Sequence, residues 1–194
     1  MDENTSSSIK MGKKIDFILQ KKEGKPKNVF EITKIISALL TDICEQGKFN
    51  LESKLTLIRP FISRKIPTIS IKDFIDRLLK YTKTFNEIII IILIYLDNIC
   101  AKNKIYLNYY NIHKFIFAAF IAAHKFYEDY HYSMEYYTKL GGITQKEALF
   151  LEYEFMSLID FKLFINQKVY EQYYNYLYSL NNNDLDDIFE IELN

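Results

Sequence analysis

The sequence predicts an all-α protein, and three observations carry that reading. Only five glycines and three prolines interrupt 194 residues, fewer than many short strands and tight turns would need. Apolar side chains recur at helical rather than alternating spacing. Two stretches, Ile88–Leu96 and Phe115–Ala123, are almost wholly apolar, as the central helices of a bundle must be. At 49% apolar and 16% aromatic, the chain can build one core of about 100–150 residues with tails.

Taken in order, residues 1–27 carry seven lysines between Lys10 and Lys27 and read as a flexible basic segment. Residues 29–46 place Val29, Phe30, Ile32, Ile35, Ile36, Leu39, Leu40 and Ile43 on one dry helical face, with Gly47 as its stop. Residues 48–69 contain Pro60 and Pro67 and read as a connection whose apolar positions (Leu55, Leu57, Ile58, Phe61, Ile62) pack on the domain. Ser70 is an N-cap for a helix over 71–82, with Asp73 favouring its positive end. Thr84 and Glu87 form a capping box for a helix reaching about Lys102. A nearly dry helix follows from Asn108 to about Asp129, its four alanines between 118 and 123 letting neighbours approach. A short helix over 133–140 stops at Gly141-Gly142. Thr144 and Glu147 form a second capping box before an amphipathic helix to about Asp160. A tyrosine-rich helix spans 167–180, and residues 181–194 form an acidic tail. The domain therefore covers 28–180.

Composition also limits function. With 25 basic and 25 acidic side chains the net charge is zero, so no nucleic-acid partner is expected. Cys44 and Cys100 are too few for a disulfide framework or a zinc site, and read as reduced core residues of an intracellular protein. The longest apolar run, Ile88–Leu96, is nine residues, whereas a membrane span needs about 20; no span and no signal peptide are expected. There is no phosphate loop and no nucleophile elbow, so neither catalysis nor a cofactor is expected.

Several charged residues stand out. His124, Glu128 and His131 follow i, i+4, i+7 spacing, with Asp129 beside them, a pattern that can hold a metal in a metal-dependent enzyme. Glu128-x-x-His131 is half of a di-iron motif whose other half is missing, so no metal is expected. Arg77 and Asp97 interrupt apolar faces of successive helices and are expected to form a structural pair. Lys125 lies at the end of the nearly all-apolar helix and Glu152 in the amphipathic helix joined to it. They read as a bridge to each other or as polar anchors for an external protein. Glu128, Asp129, Glu135 and the tail form a candidate acidic patch for basic peptides.

Longer strings carry a family likeness. Residues 69–81 read ISIKDFIDRLLKY and are followed by Tyr95-Leu96-Asp97. Residues 123–132 read AHKFYEDYHY, residues 137–152 YTKLGGITQKEALFLE and residues 161–165 FKLFI. In this order they resemble the cyclin box of P/U-type cyclins. The resemblance implies a single five-helix box around a buried central helix, core about 69–165, with flanking N- and C-terminal helices. It implies a regulatory subunit that binds and activates a cyclin-dependent protein kinase in the nucleus or cytoplasm. By that resemblance Lys125 and Glu152 hold the kinase segment leading into its αC helix, while Phe126, Met156, Phe161 and Leu163 pack on αC. Two departures matter: PTISI (67–71) replaces the MRAIL-like substrate-docking motif, and His124 stands where a small residue is common. No second box fits after residue 165, as is typical of this subclass. The alternative is a cyclin-fold scaffold that binds a protein without activating a kinase.

Overall fold

The computed structural model describes residues 29–47, 58–85 and 88–182. The basic segment, Leu55, Leu57, Glu87 and the acidic tail lie outside these residues. Among the described residues there are seven α-helices, one 3-10 turn and no strand: α1 (Val29–Gln46), the turn Arg59–Phe61, α2 (Ile71–Tyr81), α3 (Ile88–Asn103), α4 (Ile112–Tyr127), α5 (Met134–Gly141), α6 (Gln145–Leu158) and α7 (Gln167–Asn182). None is long and apolar enough to cross a membrane.

The two dry helices sit at the centre. Every side chain from Ile88 to Asp97 in α3 is buried, as is every one from Phe115 to His124 in α4. Removing each Ile, Leu or Phe there from water contributes about 1.5–3 kcal/mol. α3 packs chiefly on α4, and α4 on α6; α1 lies on α2, while α7 closes over α1 and α3. The 3-10 turn is pinned to α4 by Phe61 stacking on Phe115 at 4.1 Å.

Helix ends follow the capping chemistry. Ser70 accepts from Asp73 N at 3.0 Å, Ser133 from Tyr136 N at 3.3 Å and Thr144 from Glu147 N at 3.2 Å, each cap worth about 1 kcal/mol. Glu147 does not complete a capping box, because its carboxylate is held by Lys114 at 2.9 Å. The two glycines ending α5 serve different needs. Gly142 sits at φ 66° in the left-handed region, while a Cβ on Gly141 would meet the Phe117 ring at 2.5 Å.

Three expectations are corrected. α4 begins four residues later than periodicity suggests, because Asn108 and Asn111 fold the chain into a turn: Asn111 Oδ1 accepts from Asn108 N at 2.9 Å. It ends at Tyr127 because Glu128 Oε1 accepts from Thr84 Oγ1 at 2.6 Å and from Phe85 N at 2.9 Å. Arg77 and Asp97 do not pair. Helices α2 and α3 are successive in sequence, but α2 packs chiefly on α1, α4 and α5. Asp97 instead accepts from Tyr173 Oη of α7 at 2.5 Å, and the Arg77 guanidinium lies 5.1 Å from the Phe74 ring centroid.

Both cysteines are buried and free. Burial pushes the Cys44 thiol up to about 12 and raises Cys100 further, with Asp97 and Cys44 adding to the effect.

Candidate protein-binding face

Lys125 is the point where α4 emerges from the core: His124 before it is fully buried, and Phe126 after it is half exposed. Its Nζ lies 2.6 Å from Glu152 Oε1 in the middle of α6, with side chains 36% and 20% exposed. An ion pair this open contributes at most about 1 kcal/mol, so stability alone is a weak reason to keep it. Two ammonium donors and one carboxylate oxygen of the pair have no partner among the described residues.

Helix α6 carries apolar residues on two faces. Ala148, Leu151, Phe155 and Leu158 are buried. On the opposite side Leu149, Tyr153 and Met156 share Glu152's face by i, i+3, i+4, i+7 spacing, and Leu149 and Tyr153 are exposed, as is neighbouring Phe150.

The chain leaving α6 extends this surface. Asp160 and Phe161 take φ of 55° and 56°. Asp tolerates this conformation, whereas a bulky residue there is strained by about 1–3 kcal/mol. Phe161 gains little burial in return, since it is 65% exposed. The neighbours hold the turn in place. Phe161 N donates to Met156 O at 2.9 Å, and Lys102 at the end of α3 pairs with Asp160. That contact, with a smaller contribution from Lys162, holds the Asp160 carboxyl below the usual range. Next, Leu163 O accepts from Tyr95 Oη at 2.5 Å and from Tyr127 Oη at 3.1 Å. Tyr127 Oη in turn accepts from Ile165 N at 2.8 Å. The two tyrosines turn Leu163 and Ile165 inward and leave Phe161 and Phe164 outward, the latter 74% exposed. Because Tyr127 follows Phe126, these bonds bring residues 161–165 beside the end of α4. Lys125, Phe126, Glu152, Met156, Phe161 and Leu163 therefore border one surface.

A cyclin family profile matches residues 25–163. The chain belongs to the cyclin family. It is 32% identical over 171 residues to PHO85 cyclin-7 of Saccharomyces cerevisiae, covering 76% of this chain and 60% of that one. It is 38% identical over 121 residues to PHO85 cyclin-like protein psl1 of Schizosaccharomyces pombe, covering 61% and 50%. It is 32% identical over 116 residues to Cyclin-U2-1 of Arabidopsis thaliana, covering 59% and 52%. The chain thus spans about half to three-fifths of these relatives' lengths, and it is a cyclin of the P/U type.

In the cyclin box, α2 to α6 are the five box helices, with α1 and α7 flanking them. Lys125 lies on the third box helix and Glu152 on the fifth. Sequence reasoning missed Leu149, Phe150, Tyr153 and Phe164. It took α6 as amphipathic, yet assigning Ala148, Leu151, Phe155 and Leu158 to the core leaves Leu149, Phe150 and Tyr153 on the wet side.

The metal-spaced residues are not gathered. His124 is turned into the core, its Nδ1 2.9 Å from Tyr137 Oη, while Glu128 fastens the α2–α3 loop. No cluster of metal-ligating side chains forms among the described residues. Burial lowers the His124 pKa, against a smaller upward pull from Glu128. Of the acidic patch, Glu128 is engaged with that loop, and Glu135 pairs with Lys139 at 2.9 Å.

Proposed function

We propose that this cyclin is the regulatory subunit, not the catalyst, of a cyclin-dependent protein kinase in the nucleus or cytoplasm. It binds the kinase through the Lys125–Glu152 face and activates it by docking on the αC helix. The observation that carries this is a weak, half-open ion pair bordered by exposed aromatic side chains, one of them on strained backbone. Strain without a compensating contact points to a function. Free ammonium donors and a free carboxylate oxygen suit a partner's backbone carbonyls and N–H groups. Phe126, Met156, Phe161 and Leu163 supply the apolar contact, and aromatic anchors of this kind dominate interface energies. Two relatives carry PHO85 in their names, which supports a kinase of that class as the partner. Activation follows if this face binds the αC-in kinase more tightly than the αC-out form, since αC then brings its glutamate to the kinase lysine.

The test is recovery of partners from the native cell with tagged wild type and with Lys125→Ala/Glu152→Ala, followed by a kinase assay. Removing both charges avoids leaving either one unpaired, and the expected loss is about 2 kcal/mol or more, roughly thirtyfold in affinity. A kinase bound equally well by both forms sinks the anchor assignment. A kinase bound but not activated leaves the scaffold reading in its place.

A further inference from the structure

At the other end of α4, about 18 Å along the helix from Lys125, a second arrangement has no role in kinase docking. An open cleft of about 200 Å³ lies between α2, the start of α4 and the Gly141-Gly142-Ile143 turn, and Arg77, His113 and Lys114 all line it.

Arg77 has no hydrogen-bond acceptor among the described residues, and its Nε is buried without a partner. His113 is 7% exposed. Its Nε2 lies 3.0 Å from Ile69 O. A carbonyl only accepts, so Nε2 carries the proton and Nδ1 is left with a lone pair. That Nδ1 is also buried and unpartnered. An N–H buried without an acceptor is costly, and here it belongs to a partly exposed guanidinium that stands beside a histidine able to take a proton.

The remaining charges leave the cleft positive. Lys114 is held by Glu147 at 2.9 Å and donates to Pro60 O and Ile62 O at 3.3 Å. Glu147 therefore cancels Lys114, and the Arg77 charge has no counterion. Apart from Ser63 the other walls are uncharged and mainly apolar, formed chiefly by Pro67, Ile69, Phe74 and Phe117. Across Ile69 and His113 lies a second, mainly apolar cleft of about 360 Å³.

We propose that this cleft binds a phosphorylated side chain of a peptide partner, with Arg77 donating to a phosphoryl oxygen and His113 Nδ1 sharing the proton of the phosphoryl group. A phosphoryl group supplies strong acceptors for the guanidinium. Near neutral pH it also carries a proton part of the time, its second pKa being about 6. The adjoining apolar cleft takes the flanking peptide residues. Burial lowers the His113 pKa, and Arg77 lowers it further against the pull of the Ile69 carbonyl. A bound anion offsets the repulsion from Arg77 and favours the imidazolium, so binding takes up a proton and tightens as pH falls.

The test uses side-chain NMR of the full chain, following the His113 ring and the Arg77 Nε–H. The probes are N-acetyl-phosphothreonine methylamide, inorganic phosphate and, at matched ionic strength, potassium chloride, at about pH 6 and about pH 8. The phosphothreonine probe is expected to move both resonances saturably, more tightly at the lower pH, where chloride does not. Arg77→Met, which keeps the stem over Phe74, is expected to weaken binding about tenfold or more with the helical circular dichroism intact. Saturation by phosphate but not by phosphothreonine overturns the peptide assignment in favour of a free-ion site. Shifts that chloride reproduces, or affinity unchanged in Arg77→Met, overturn the site, leaving only water in the cleft.

Discussion

Phe161 is the residue at which stability and binding are expected to separate. Its backbone is left-handed and its ring is mostly in solvent. Truncating the ring therefore loses little burial, while the strain depends on having a Cβ. Phe161→Ala keeps the Cβ and so keeps the strain. Phe161→Gly removes it, gaining about 1–2 kcal/mol in the native state and losing about 0.5–1 kcal/mol through the freer unfolded chain. The glycine variant should thus be about 1 kcal/mol more stable than the alanine variant, a difference of about 2–4 °C in melting temperature for a chain of this size. The hydrogen bond from residue 161 N to Met156 O is available to both, so it cancels in the comparison. Both variants lack the ring and should lose the same affinity for the kinase, about 2 kcal/mol if Phe161 is an interface anchor. Calorimetric melting and titration against the purified kinase give the two quantities separately. A glycine variant no more stable than the alanine variant refutes the strain argument. Wild-type affinity in either variant refutes the role of the ring.

Gly141→Ala should cost about 1–3 kcal/mol from overpacking against Phe117, read from the urea midpoint at unchanged slope. Tyr173→Phe removes the hydrogen bond that ties α7 to Asp97 and should cost about 1–3 kcal/mol, with hydrogen exchange rising first in α7 if that helix opens locally. His124 and His113 both have folded pKa values below their ordinary 6.5. The unfolded chain therefore binds more protons just below that pH. Their contribution to stability is complete above about 6.5 and is lost as pH falls from there toward the folded values. Urea melts should show falling stability in that window, with a shallower slope in His124→Asn.

The helices were legible because each has a local cause in the sequence. Ser70, Ser133 and Thr144 cap the helices that the chain shows, and the unbroken apolar runs become α3 and α4. Residues 108–111 were misread because helical spacing continues through them, while the decisive contacts are side-chain bonds of Asn108 and Asn111 that periodicity does not register. The Arg77–Asp97 pair failed for a tertiary reason. Neighbours in sequence were assumed to be neighbours in space, whereas Asp97's hydroxyl partner lies 76 positions away on α7. The candidate face was partly legible, since Lys125 ends a nearly all-apolar helix and both Lys125 and Glu152 fall within the strings that resemble the cyclin box. Its left-handed turn was not, because a Phe at φ 56° contradicts local preference and is held by contacts from α3, α4 and α6.

Several misfits between sequence and local rule adjoin the Lys125–Glu152 pair, while others, such as Lys104 at φ 53° and the exposed Ile66, Tyr81 and Tyr130, lie elsewhere. Ser70, Ser133, Gly141 and Gly142 each suit the backbone they occupy, so the interior needs no explanation beyond packing. The adjoining misfits are the wet apolar side of α6 at Leu149 and Tyr153, the strained Phe161 and the outward Phe164. These four lie on α6 or just beyond it, beside the half-open Lys125–Glu152 pair. Exposed apolar side chains contiguous with a half-open ion pair fit a protein-binding surface. The Arg77 Nε breaks a different rule, burial of a donor without an acceptor, and does so at the far end of α4. Two kinds of misfit at two places fit two ligands of different chemistry: an apolar helix with polar ends at one, and a compact anion at the other.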